Sequence, residues 1–239
     1  THCKFLPAII NENLLIIFYV CEIYMSSTRR YSLFDKIIIE SDKVLRTLSK
    51  NASTAAQASP ALDIEQYELS DSESSHAASL MRVNHTGEVC AQALYQGQAL
   101  TAKLPHVRKE MEQAALEEID HLSWCDERLQ QLNSQPSLLN PIFYGVSFSM
   151  GAAAGAISDK VSLGFVAATE ELVCNHLKKH LQELPAADTK SRAIVSTMLA
   201  DEARHQQTAI DAGAIEFPAP IKLGMKLMSS LMTKTSYRI

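Results

Sequence analysis

A chain of 239 residues, 46% hydrophobic and with a formal charge of −5, is long enough for one well-cored domain plus extensions. Its mild acidity and the lack of a concentrated basic region exclude nucleic acid as a partner. Five scattered cysteines (Cys3, Cys21, Cys90, Cys125 and Cys174) fit no disulfide framework and read as reduced thiols of a cytosolic compartment.

Residues 1–24 are expected to be a non-native or disordered extension. Leu6 to Val20 is apolar but broken by Asn11, Glu12 and Asn13, too short and interrupted for a membrane span, and no small-residue cleavage site follows. Residues 25–64 form an N-terminal stretch. It holds an amphipathic helix from Tyr31 to Leu48, with Ile37, Ile38, Leu45 and Leu48 among its apolar positions, then a linker from Asn51 to Ala61.

The main domain spans 65–239, and no strand-period segment of any length occurs in it, so the class is all-α. Its first helix is expected from Asp71, whose side chain would cap it, to about Lys103, and a second runs from Pro105 to near Asn133. Pro136 and Pro141 bracket a break, and Pro185 and Gly213 mark later ones.

Two segments exceed a bare four-helix bundle. No charged residue lies between Arg128 and Asp159, and Gly151-Ala152-Ala153-Ala154-Gly155 within that stretch would let another helix approach closely. After Pro218 and Pro220, Ile221, Met225, Leu227, Met228, Leu231 and Met232 line one side of a helix with Lys222, Lys226 and Lys234 elsewhere, as in a helix lying in a membrane interface. Extra core helices or a dimer interface would explain either segment alone; together they favour an apolar substrate channel and peripheral membrane contact.

The chemistry lies in a half-repeat. Glu88 precedes the pair Glu118-x-x-His121 by 30 residues, and Glu170 precedes Glu202-x-x-His205 by 32. Residues i and i+3 of a helix sit about 60° apart in angle and roughly 4.5 Å apart along the axis, so a glutamate and an imidazole can share one metal ion. Four glutamates and two histidines are the ligand set of a carboxylate-bridged dinuclear centre in a four-helix bundle. Glu118 and His121 fall within an apolar stripe that includes Met111, Leu122, Cys125 and Leu129; Glu170 is flanked by Val166, Val173 and Leu177, and Glu202 by Val195, Met198 and Leu199. The stripe around Glu88 is mixed. Carboxylates buried without partners cost several kcal/mol each, and no lysine lies on these stripes, whereas Arg82 and Arg204 face outward by helical phase. Two divalent cations would neutralise the four charges. Ligands that are all oxygen and imidazole favour iron or manganese, with zinc left open. His85, three residues before Glu88, is a further candidate for the site, with a supporting or plain polar role favoured over ligation.

Arg82-Val83-Asn84-His85-Thr86-Gly87-Glu88, followed by Ala93-Leu94-Tyr95-Gln96-Gly97-Gln98, resembles the opening signature of demethoxyubiquinone hydroxylases. Glu118-x-x-His121, Ala168-Thr169-Glu170-Glu171 and Asp201-Glu202-x-x-His205 are similar to the remaining motifs, in order, and the resemblance covers about residues 26–239, nearest the bacterial branch.

That resemblance implies a ferritin-like four-helix bundle with two additional apolar or amphipathic helices. It implies a di-iron monooxygenase of ubiquinone biosynthesis, with two Fe²⁺ per chain and O₂ as co-substrate. The substrate would be a polyprenylated demethoxyubiquinol, hydroxylated on its ring. The ligands would be Glu88, Glu118, His121, Glu170, Glu202 and His205, with Glu118 and Glu202 bridging. The setting would be peripheral, on the cytoplasmic face of the bacterial inner membrane, with a homo-oligomer or a biosynthetic complex as partners. Some eukaryotic relatives carry His-His-Tyr where this chain has Asn175-His176-Leu177, which leaves His176 as a supporting or relay residue without the tyrosine. Two rival readings remain: a soluble ferritin-like ferroxidase or peroxide-handling protein, and a non-enzymatic helical scaffold on a membrane surface.

Overall fold

The computed structural model describes residues 32–50 and 52–239, so the expectation for residues 1–24, with Cys3 and Cys21, lies outside the described residues. The chain divides into two units, Thr1–Asp42 and Lys43–Ile239. In the first, the described residues are the opening turns of α1 (Leu33–Leu48), begun by reciprocal hydrogen bonds between Ser32 and Asp35 and carrying Phe34, Ile37 and Ile38 exposed.

Six helices follow in the second unit: α2 (Asp71–Thr101), α3 (Pro105–Gln131), α4 (Asn140–Ile157), α5 (Asp159–Glu183), α6 (Thr189–Asp211) and α7 (Ala219–Ser236). No strand occurs among the described residues. Their ends follow local chemistry. Ser70, rather than Asp71, caps α2: its hydroxyl accepts from Glu73 N–H at 3.4 Å while Glu73 accepts from Ser70 N–H at 2.9 Å, a capping box. Asp71 is the first helical residue, where its charge suits the helix dipole. Pro105 opens α3, Ser158 caps α5, and Asp188 caps α6 through Ser191 N–H at 3.0 Å.

Helices α2, α3, α6 and α5 touch in a ring, each against the next, which makes the ferritin-like four-helix bundle. The long crossover from α3 to α5 contains α4, which packs along α2, and α7 lies against α2 and α5. The glycines explain how closely α4 sits. A Cβ on Gly151 would meet the Leu94 carbonyl oxygen, one on Gly97 would meet Phe148 O and Ala152 N, and one on Gly155 would lie 3.1 Å from Gln98 O. Two backbones are thus in direct contact, as the small-residue run predicts.

The apolar core forms three clusters, of which Val89, Ala93, Leu122 and Tyr144 make the smallest, and the other two flank the half-repeat. One gathers Met81, Trp124, Leu129, Leu177 and Met198, and the other gathers Tyr95, Met111, Leu163, Val166 and Ala209. Along each of the four bundle helices the glutamates and histidines of the half-repeat fall between these two clusters. The segment read as a linker is ordered and strapped to the bundle. Ala56 N–H donates to Asp120 at 2.6 Å, Trp124 Nε1–H to Gln57 O at 3.3 Å, and Thr189 Oγ1–H to Glu65 O at 2.6 Å. Buried Arg128 bonds Asp188 and Gln66 (2.7 Å each) and Ser191 (2.9 Å), which joins α3 to the start of α6 and to this strap. Gly151→Val should destabilise the chain by about 3 kcal/mol, by driving a branched side chain into the α2 backbone. Gly145→Ala, which meets nothing within 4 Å, should be neutral or stabilise by up to about 1 kcal/mol. Denaturant unfolding of the two variants checks the contrast.

Candidate metal centre

The fold brings together all six residues of the half-repeat. Glu88 comes from α2, Glu118 and His121 from α3, Glu170 from α5, and Glu202 and His205 from α6; five are at most 3% exposed and His205 is 9% exposed. Glu118 and Glu202 occupy the middle. His121 Nδ1 lies 3.2 Å from Glu118 Oε2 and 3.1 Å from Glu202 Oε1, while His205 Nδ1 lies 3.1 Å from Glu118 Oε1 and 3.3 Å from Glu202 Oε2. Each of these carboxylates therefore turns one oxygen to each imidazole. Glu88 flanks the His121 side, with Oε2 3.7 Å from Nδ1. Glu170 accepts a 2.7 Å hydrogen bond from the phenol of Tyr95, itself buried.

The outward nitrogens are held crosswise. His121 Nε2 lies 3.1 Å from Asp201 on α6, and His205 Nε2 lies 2.9 Å from Glu117 on α3. The acid immediately before the glutamate of each Glu-x-x-His pair thus orients the histidine of the other pair. A carboxylate behind a metal-binding imidazole fixes the ring and raises its basicity. Asp201 is itself held by Arg204 at 2.7 Å.

The electrostatics describe a cage that lacks positive charge. Burial raises the Glu88 carboxyl well above its usual range, and neighbouring Glu118 and Glu202 add to the shift. Burial does the same to Glu170, again with Glu202 and Glu118 adding. Burial also pushes Glu118 up, but hydrogen bonds from His121 and His205 outweigh it and leave the group below the usual carboxylate range. For the imidazoles burial alone would lower the pKa. Contacts to Asp201, Glu118 and Glu202 instead hold His121 well above its ordinary value, and Glu118 and Glu202 push His205 up to about 11.

Glu88 Oε2 is buried and makes no hydrogen bond among the described residues. A cation would satisfy that oxygen and replace the bound protons. Glu88, Glu118, His121 and Glu202 present ligand atoms all within 4.8 Å of one another, compact enough for one metal ion. The residues present fit metal ions bound through oxygen and imidazole.

The comparisons with known proteins agree with this geometry. Residues 75–236 match the family described as ubiquinone biosynthesis protein COQ7. The chain belongs to that family. It is 58% identical over 215 residues, covering 90% of this chain and 100% of the relative, to a Pseudomonas fluorescens protein named 3-demethoxyubiquinol 3-hydroxylase. Proteins of that name from Stutzerimonas stutzeri (60%) and Pseudomonas aeruginosa (58%) match over the same shares.

Two further histidines singled out in the sequence make their contacts with residues outside the six. His85 bonds Asn140 across 3.3 Å, and burial pushes its pKa down to about 4. His176 lies against His180 with ring centroids 3.9 Å apart and planes tilted by 57°, and its Nε2 is buried without a hydrogen-bond partner among the described residues. Burial depresses its pKa to about 4. Arg82 is only partly exposed and bonds Gln135 O and Ser134 Oγ, while Arg204 faces outward as read.

Sequence reasoning missed Glu117, Asp201 and Tyr95. A signal for the first two was present, because both pairs read acid-Glu-x-x-His. Tyr95 is seven residues, or about two helical turns, from Glu88 and shares its face.

An apolar cleft of about 140 Å³ reaches this region between α2, α4, α5 and α7. It is lined by Gly87, Cys90 and Thr169, which neighbour Glu88 and Glu170 in sequence, and by Phe143, Met150, Met225 and Met228.

Asp201→Asn and Glu117→Gln should each weaken metal binding by about 10- to 100-fold, read by chelator competition. Glu88, Glu170, His121 and His205 all hold protons to higher pH than free side chains do, so metal must displace protons. Loading should acidify a weakly buffered solution, and affinity should fall as pH drops; an indicator dye checks both.

Proposed function

We propose that this chain hydroxylates the ring of a polyprenylated demethoxyubiquinol with O₂, using two iron ions. Glu88, Glu118, His121, Glu170, Glu202 and His205 would hold the ions. Glu118 and Glu202 would bridge them, because each turns one oxygen to each histidine. That arrangement carries the reading, and the printed names of the relatives supply the substrate. The iron pair, when bound, would supply the redox chemistry that activates O₂, one atom going to the ring and the other to water.

The protein's part is positioning and exclusion of water. Tyr95 O–H fixes Glu170 Oε1, while Asp201 and Glu117 fix the two imidazoles. The apolar cleft supports an apolar substrate over a ferroxidase, because a hydrated ion gains nothing from methionine and phenylalanine walls. The quinol ring would lie by Gly87, Cys90 and Thr169, toward Glu88 and Glu170, and the tail would run outward between α4 and α7.

No helix among the described residues is long and apolar enough to cross a membrane. Around the cleft, α4 exposes Ile142 and Val146, and α7 exposes Leu223, Leu227 and Leu231, with Lys222 and Lys226 beside them on the same helix. Peripheral contact with a bilayer, on the cytoplasmic face of the bacterial inner membrane, would bring the mouth to a lipid-dissolved substrate.

The test is turnover of anaerobically iron-loaded protein with demethoxyubiquinol, a two-electron reductant and O₂. Wild type should yield the hydroxylated quinol. Glu170→Ala should lose product formation by more than about 100-fold while keeping its helical content. Product from the variant at the wild-type rate would remove Glu170 from the ligand set, and none from wild type would overturn the substrate.

A further inference from the structure

Two cavities of opposite chemistry border the helices that carry the centre. The cleft between α4 and α7 has no charged residue in its wall. On the α3–α6 side a second cavity of about 320 Å³ is floored by His121 and His205 and lined by Glu117, Asp120 and Asp201. The strap forms its far wall: Ala56 N–H is tied to Asp120, and Gln57 O accepts from Trp124. Glu117 and Asp201 have side chains 40% and 20% exposed, yet each touches a buried histidine of the centre. They are in contact with solvent and with the cage at once.

We infer that this cavity is the metal-loading port, through which divalent cations pass from Glu117 and Asp201 to His205 and His121. The inference rests on reading the six residues as a metal centre. A hydrated cation sheds water only where other oxygen or nitrogen atoms replace it. The apolar cleft has no carboxylate to offer, whereas the port presents carboxylates from its mouth to its floor. Beyond that floor Glu88 Oε2, 3.7 Å from His121 Nδ1, is buried and makes no hydrogen bond among the described residues. A larger cavity, lined in part by Tyr95, shares Glu117, Arg204 and His205 and adds Lys109 with Glu110, so its two acids are matched by two cations, whereas the port's three acids face Arg204 alone. Arg204 lines the port too, but its guanidinium is paired with Asp201 Oδ1 and leaves Oδ2 to His121.

Loading can be followed without turnover. Trp124 is the sole tryptophan of the chain, and its ring centroid lies 5.4 Å from that of His121, so a paramagnetic ion in the centre will quench its fluorescence. Metal-free full-length protein would be mixed anaerobically with Co²⁺ in a stopped-flow instrument. Leu116 lines the port and is 60% exposed, Val146 lines the cleft and is 40% exposed, and neither is part of the cage.

At low salt Leu116→Glu should speed loading about threefold and Leu116→Lys should slow it by a similar factor, both effects shrinking as ionic strength rises. Val146→Glu and Val146→Lys should leave the rate unchanged. A rate that follows the Val146 charge and not the Leu116 charge would overturn the port, as would indifference to both, while leaving the metal centre standing. Failure to bind stoichiometric Co²⁺ at all would remove the metal centre, and the port with it.

Discussion

Four carboxylates packed into the dry middle of a helix bundle repel one another and forgo hydration, and this constraint shapes everything around them. Without cations the structure answers with protons: Glu88 and Glu170 are held toward the neutral acid, and His121 and His205 toward the imidazolium. Such an arrangement leaves Glu88 Oε2 unsatisfied. Cations would resolve both difficulties, so the residues fit bound metal better than they fit a structural polar network. The surrounding layers then have clear tasks. Asp201 and Glu117 aim the imidazoles, Tyr95 steadies Glu170, and the two apolar clusters above and below keep the four helices in register.

The parts outside the bare bundle give that cage its access. Helix α4 approaches α2 backbone to backbone because Gly97, Gly151 and Gly155 leave room for it. Its apolar residues, with the methionines of α7, then wall the apolar cleft. The strap from residue 52 onward covers the opposite flank, tied down by Asp120, Trp124 and Arg128. On the proposed reading, the apolar cavity and the acidic one would keep an apolar reactant and a cation on separate routes.

Much of this was legible in the sequence because helical periodicity and ligand spacing are local. The 30- and 32-residue intervals and the i, i+3 pairs bring the six residues to the middle of four helices, and the small-residue run forecasts the close approach of α4. What was not legible depends on how helices face one another. That Asp201 serves His121, eighty residues away, follows from the α3–α6 packing and from no spacing rule. His85 lies one turn from Glu88 on α2, yet turns to Asn140 on α4. The segment from Asn51 to Ala61 reads as a linker from its alanines and serines, because the hydrogen bonds that tie it down are made by backbone atoms that sequence does not distinguish.

The most direct test of the cage is its stoichiometry. Protein reconstituted anaerobically with ⁵⁷Fe²⁺ and purified from excess metal should hold two irons per chain, with a Mössbauer spectrum of high-spin ferrous ions in oxygen and nitrogen coordination. Brief oxidation should convert that spectrum to an antiferromagnetically coupled diferric pair, the signature of bridged ions. One iron per chain, or two ferric ions without coupling, would contradict the bridged cage of Glu118 and Glu202.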